Sequence, residues 1–140
     1  KLCRVHGERH PELFEINRIF NESARDLESH FKKEEGVLFP FIESLVKAQQ
    51  SGQPLGDIPF GTVENPIAMI MHEHSAEGER FEEIVKLTNN YTPPADACNT
   101  YKVTYQMLQE FETDLNRHIH LENNILFPKA IALEKQLRQA

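Results

Sequence analysis

The stretches His30-Phe31-Lys32-Lys33-Glu34-Glu35-Gly36-Val37-Leu38-Phe39-Pro40 and His118-Ile119-His120-Leu121-Glu122-Asn123-Asn124-Ile125-Leu126-Phe127-Pro128 share one skeleton: HxxxE, three residues, then LFP. At about 100° per residue, helical positions i and i+4 lie about 40° apart and about 6 Å between Cβ atoms, so an imidazole and a carboxylate reach one point in space. A single HxxxE is cheap in a chain with seven His and 22 acidic residues. Its plain reading is a satisfied His beside a solvated Glu. Recurrence changes that reading, because both pairs lie on apolar stripes, with Leu27, Phe31 and Leu38 in one copy and Leu115, Ile119 and Leu126 in the other. Buried without partners, these His and Glu side chains would cost several kcal/mol each, a cost that metal coordination removes. The Pro that closes each skeleton lacks an amide N–H, so it should kink the helix or end its regular hydrogen bonding.

Outward from these motifs, apolar residues recur at helical spacing and no strand pattern is found, so an all-α protein is expected. The first helix runs from His10-Pro11 to about Lys47 and carries Leu13, Ile16, Phe20, Leu27, Phe31, Leu38, Phe41, Ile42 and Leu45 on one face. An irregular connection, Gln49 to Gly61, follows. Asn65-Pro66 is read as the cap of a second helix through Ile67, Ile70, Met71, His74, Phe81, Ile84, Val85 and Leu87, ending at Asn89-Asn90. A third runs from about Asp96 to about Leu137 through Val103, Met107, Leu108, Phe111, Leu115, Ile119 and Leu126. Bundles of this kind close their core with four helices, so the first is expected to be largely missing from this chain. Residues before Lys1, a second chain in a homodimer, or the segment around His6 would fill the gap.

Further ligands follow from register. In Met71-His72-Glu73-His74, His74 shares a face with Ile67, Ile70, Met71 and Phe81, whereas His72 points about 200° away. A lone buried His bonded to a carbonyl would be the plain reading of His74 without the two HxxxE pairs. His6 is expected to reach the end of the bundle, His10 to serve the helix start, and His120 to lie on the surface. Asp26 either accepts the ring N–H of His30 or is an exposed partner of a basic side chain. The resulting metal set is His6, His30, Glu34, His74, His118 and Glu122, with nitrogen and carboxylate ligands and no thiolate. Such a set suits two metal ions about 3.5 to 4 Å apart, with non-haem iron the usual occupant, although zinc accepts the same ligands. The order HxxxE differs from the ExxH of ferritin-like sites, and the excess of His favours binding O₂ or nitric oxide over bulk iron storage.

The chain of 140 residues suits one domain, 1–140. Its 22 acidic and 15 basic residues give a net charge of −7, which argues against nucleic acid or anionic membranes as partners. Cys3 and Cys98 match no CxxC or zinc spacing, and no signal peptide or run of about 18 apolar residues is present, so a cytoplasmic location is expected. The start at Lys1, without Met, suggests missing upstream sequence.

Taken with the stretches Glu73-His74-Ser75-Ala76-Glu77-Gly78-Glu79 and Thr88 through Cys98, the two HxxxE motifs make the chain resemble the hemerythrin-like family. The resemblance is closest to the C-terminal di-iron domain of the repair-of-iron-centres proteins, bacterial iron-sulfur cluster repair factors. It implies a hemerythrin-like four-helix bundle with an oxo-bridged di-iron centre, Glu34 and Glu122 bridging, and His30, His74 and His118 terminal. His6 resembles the family's additional His ligand at the end of its first helix. The family's earlier His ligand and its small N-terminal Cys-containing domain have no counterpart here. The implied function is repair of iron-sulfur clusters damaged by nitric oxide or oxidants, by iron donation, by nitric oxide binding and reduction, or both. The implied partners are damaged iron-sulfur proteins, with nitric oxide or O₂ as a small ligand. The alternatives are an oxygen-binding or sensing hemerythrin and a metal-free helical interaction module.

Overall fold

The structure, a computed structural model, describes residues 1–56 and 61–139. Among them every regular element is helical: α1 (Leu2–His6), α2 (Glu12–Lys33), α3 (Phe39–Ser51), α4 (Glu64–Leu87), α5 (Asn99–Leu121) and α6 (Phe127–Gln139). One turn of π-helix, Glu34–Leu38, joins α2 to α3, and another, Glu122–Leu126, joins α5 to α6. The two LFP motifs explain both. Pro40 and Pro128 have no N–H for the α-helical ladder. The preceding Phe39 and Phe127 amides donate five residues back, to the carbonyls of Glu34 and Glu122. Regular bonding thus changes at the two carboxylates, as the Pro positions predicted, and π-turns of this kind concentrate at functional sites.

The chain divides into two compact units. The first comprises residues 1–26 and 75–117. Leu13, Ile16 and Ile19 of α2, Phe81 and Ile84 of α4, and Tyr101, Tyr105 and Leu108 of α5 are buried in it. The stripe on α5 is rotated from expectation: Val103 and Met107 are 51% and 63% exposed, and the face turned inward carries Tyr101 and Tyr105. Aromatic area outweighs the smaller apolar side chains there, with the two Tyr rings packed edge to face at 5.0 to 5.1 Å from their ring neighbours His6 and each other. The carboxylate of Glu77 is also buried, accepting from the Ser23 hydroxyl and from Arg80. Asn89, Asn90 and Tyr91 hold positive φ of 50°, 57° and 61°, the left-handed termination expected at Asn89-Asn90.

The second unit comprises residues 27–74 and 118–140. Leu38, Val63, Ile67, Ile70, Phe127 and Ala130 form its core, with Phe39, Phe41, Ile42 and Leu126 packed against them. Phe31, expected inside, is 38% exposed. The start of α4 also differs from expectation. Helix begins at Glu64, whose amide donates to Thr62 Oγ1, and the Val63 amide donates to the buried Glu134 carboxylate at 2.7 Å. A carboxylate against these free amides satisfies them and complements the helix dipole, so Thr62 and Glu134 do the work assigned to Asn65. Of the expected connection Gln49 to Gly61, α3 takes the first residues and Gly52 ends it with φ 71°, while 57–60 lie outside the described residues. Among the described residues, no helix is long and apolar enough to cross a membrane.

Candidate metal centre

Four buried side chains of the second unit, His30, Glu34, His74 and Glu122, each offer a ligand atom within 4.8 Å of the others. His30 arrives from the last turn of α2 and Glu34 from the first residue of the π-turn, with Nε2 to Oε1 2.8 Å. His74 of α4 lies with Nε2 3.0 Å from Glu122 Oε1. His118, near the end of α5, joins them: its Nε2 is 3.2 Å from Glu122 Oε1 and 3.6 Å from Glu34 Oε2. The twin motifs are unequal, because His30 is buried while the His118 side chain is 41% exposed.

Outer contacts aim the imidazoles. His30 Nδ1 donates to Glu73 Oε2 at 2.6 Å, and Lys33 Nζ braces the other oxygen of Glu73 at 2.6 Å. His74 Nδ1 donates to Asn123 Oδ1 at 2.8 Å, and its ring lies parallel to Phe127 with centroids 6.2 Å apart. With the proton on Nδ1, each Nε2 presents a lone pair. The two Nε2 atoms face each other at 3.3 Å. Phe31 sets its edge against both His30 and His118, at 5.7 and 5.8 Å.

The electrostatics show what this arrangement lacks. Among the described residues, Glu34 Oε1, His118 Nε2 and both carboxylate oxygens of Glu122 are buried without a hydrogen-bond partner. Burial would lift Glu34, but the neighbouring His30 and Glu122 side chains hold it below the usual carboxylate value. Burial raises Glu122, and the neighbouring Glu34 raises it further against the opposing pull of His74. In the metal-free chain Glu122 therefore holds its proton more tightly than Glu34 does. Burial would depress His30, yet Glu34 and Glu73 outweigh it and hold the imidazole above its ordinary 6.5. Converging lone pairs, two carboxylates and orphaned acceptors fit a cation, which would replace that proton.

Comparison with known proteins agrees. The family described as Hemerythrin HHE cation binding domain matches residues 2–130. The chain belongs to the hemerythrin family. Among its relatives, the iron-sulfur cluster repair protein YtfE of Musicola paradisiaca is 45% identical over 106 residues, 76% of this chain and 42% of that protein. Proteins of the same name from Yersinia pseudotuberculosis and Yersinia pestis are 40% and 39% identical over 131 residues, 94% of this chain and 53% of theirs. This hemerythrin chain thus spans about half the length of the curated relatives it matches.

Of the six residues that sequence pointed to, this hemerythrin domain brings together His30, Glu34, His74, His118 and Glu122. His6 lies in the first unit, its Nε2 3.2 Å from Cys98 Sγ. Asp26 takes the second of its two readings and pairs with Arg80. His120 is exposed, its Nδ1 beside the Asn124 amide at 2.8 Å, and His72 is exposed as well. His10 sits at the start of α2, as expected, and holds Asp96 at 2.8 Å. Glu73 and Asn123 were missed, although each is the chain neighbour of one of these five residues. A periodicity argument finds partners on the same helix, and the acceptor for His30 comes from α4.

A carboxylate behind an imidazole raises its basicity and fixes its ring. Glu73→Gln is expected to weaken metal binding roughly 10- to 100-fold while keeping the helical circular dichroism. Competition against a chelator of known affinity measures this; unchanged affinity would remove Glu73 from the site.

Proposed function

We propose that His30, Glu34, His74, His118 and Glu122 hold two non-haem iron ions, with Glu34 and Glu122 between them and an oxo bridge completing the pair. The single observation that carries the reading is the convergence of three Nε2 atoms on two buried carboxylates, of which Glu34 Oε1 and both oxygens of Glu122 have no hydrogen-bond partner among the described residues. The donor set is nitrogen and oxygen without thiolate, which suits iron. When bound, non-haem iron supplies exchangeable coordination and one-electron redox capacity. The chain's own part is to fix the imidazole rings through Glu73 and Asn123, to exclude water through Phe127 and the buried core, and to present the Glu34 and Glu122 carboxylates. His118, on the exposed edge, offers the side from which a small ligand approaches or an ion departs.

We infer further that the chain serves repair of iron-sulfur clusters damaged by nitric oxide or oxidative stress, in the cytoplasm, with damaged iron-sulfur proteins as clients. Support comes from relatives that carry the repair name over 94% of this chain. The reaction would be iron donation, nitric oxide binding and reduction, or both. Metal analysis with a visible spectrum of protein purified without added metal tests the centre, with two irons per chain and oxo-bridge absorption expected. Zinc, or no metal after exposure to ferrous iron under argon, would sink the assignment. Incubation with a nitric oxide-damaged iron-sulfur enzyme, measuring recovered client activity beside nitric oxide consumption, tests the repair role.

Proton competition gives a second check. Iron needs His30 neutral, whereas the metal-free fold holds the His30 proton above pH 6.5. Retention should therefore fall as pH drops through that region and fall again as the raised Glu122 takes its proton, at up to about tenfold per pH unit for each proton. Iron content after equilibration from pH 8 to pH 5 reads this directly. Retention that stays flat across the range would contradict the ligand set.

A further inference from the structure

The candidate centre is not sealed evenly. The side chains of His30, Glu34, His74 and Glu122 are buried, whereas much of the His118 imidazole is exposed. Even so, His118 Nε2, the atom aimed at the two carboxylates, is itself buried. Solvent thus reaches the outer part of this imidazole and stops short of the nitrogen. Phe31 stands at that boundary. Its ring packs T-shaped against His30, with centroids 5.7 Å apart and planes at 72°, and against His118, at 5.8 Å and 83°. One side chain thereby joins the imidazoles of the twin motifs, one from α2 and one from α5. The other neighbours of the cluster differ from it: Glu73 and Asn123 hold His30 and His74 by hydrogen bonds, and Phe127 is a buried part of the core. Phe31 is partly exposed instead. Full burial of a Phe is favourable, so a ring left half in water is held there by its aromatic contacts more than by the core.

We propose that Phe31 is the specificity-determining residue on the open side of the centre, a ring that admits diatomic ligands and turns away larger iron-chelating molecules. The inference rests on the iron reading of the five residues given above and adds to it which molecules reach them. A diatomic molecule passes beside a ring that stays in place. A flat bidentate chelator needs the ring swung off both imidazoles. Two aromatic edge contacts oppose that motion, so the open arrangement is a minor population, and reaction with a bulky probe is reduced by the fraction that is open.

The iron-loaded chain, reduced and freed of reductant under argon, is mixed in a stopped-flow spectrometer with phenanthroline as the bulky probe or nitric oxide as the small one. In the unaltered chain, iron removal should be slow and almost independent of phenanthroline concentration. Phe31→Ala is expected to make removal proportional to phenanthroline concentration and faster on the order of tenfold, the population that two aromatic contacts withhold, while nitric oxide association changes by less than about twofold. Phe31→Trp, which fills the same opening with a larger ring, is expected to keep phenanthroline out and to slow nitric oxide. A truncation that only loosened the fold would speed both probes alike, so equal acceleration in Phe31→Ala would overturn the proposal. Removal from Phe31→Ala that stays independent of phenanthroline at full iron content would overturn it too. An unaltered chain that takes up no iron would overturn the centre itself, which separates that failure from the failure of Phe31 as its guard.

Discussion

Glu122→Gln is expected to lower iron affinity by roughly a hundredfold or more, beyond the effect of an outer contact, while the metal-free chain keeps its fold and its stability or gains about 1 kcal/mol. Both halves follow from the same burial. The Glu122 carboxyl is 3% exposed and is pushed above its ordinary 4.5 by burial and by Glu34. A folded-state pKa above the unfolded value means that the native chain holds the proton more tightly. Metal-free stability should then decline as pH rises from 4.5 through the folded value. Gln has nearly the same shape and no charge, so that decline should disappear in the variant, together with an anionic iron ligand. Urea unfolding of metal-free protein from pH 4 to pH 8, beside iron titration, measures the two effects separately. Full iron occupancy in Glu122→Gln would sink the ligand assignment; a loss of several kcal/mol in the metal-free variant would show that the carboxylate has a structural task instead. Glu34→Gln should lose iron as well, but its carboxylate is held ionised by His30, so the metal-free variant should lose stability rather than gain it.

Phe127→Ala is expected to cost 3 to 5 kcal/mol, the range for emptying a buried Phe site. The ring is 1% exposed, packs with Leu38, Val63, Ile67 and Ile70, and lies flat beneath His74. The cavity should therefore also loosen His74 and weaken iron binding, a coupling that a purely structural core residue would not show. Met107→Ala, on a side chain 63% exposed, should change stability by no more than about 0.5 kcal/mol. Denaturant midpoints for the two variants, with iron affinity for the first, decide the matter. A small effect at Phe127 would mean that the second LFP motif does not floor the site.

Periodicity alone made the helices legible, the doubled motif pointed to four of the residues that come together, and helical register added His74. The Pro positions were equally informative, since a missing amide donor is a covalent fact that no packing can restore. The errors fall where helical faces compete. On α5, the sequence offers Val103 and Met107 as readily as Tyr101 and Tyr105, and a single-helix wheel cannot tell which face a neighbour will cover. At α4, Asn65 is a good cap by itself, but the Val63 amide is satisfied by Glu134, 69 residues after Asn65, and the Glu64 amide by Thr62.

What the sequence by itself determined is the set of residues with fixed spacing: His30 with Glu34, His118 with Glu122, the apolar stripes and the breaks in regular hydrogen bonding that each Pro enforces. Each depends only on helix geometry and covalent chemistry. Tertiary structure alone decided which acceptors sit behind the imidazoles, with Glu73 rather than Asp26 serving His30, and that His6 faces Cys98. It also decided that His118 is more open than its twin. Those outcomes are contacts between helices, and the side chain that reaches across is chosen by packing, which local spacing does not encode.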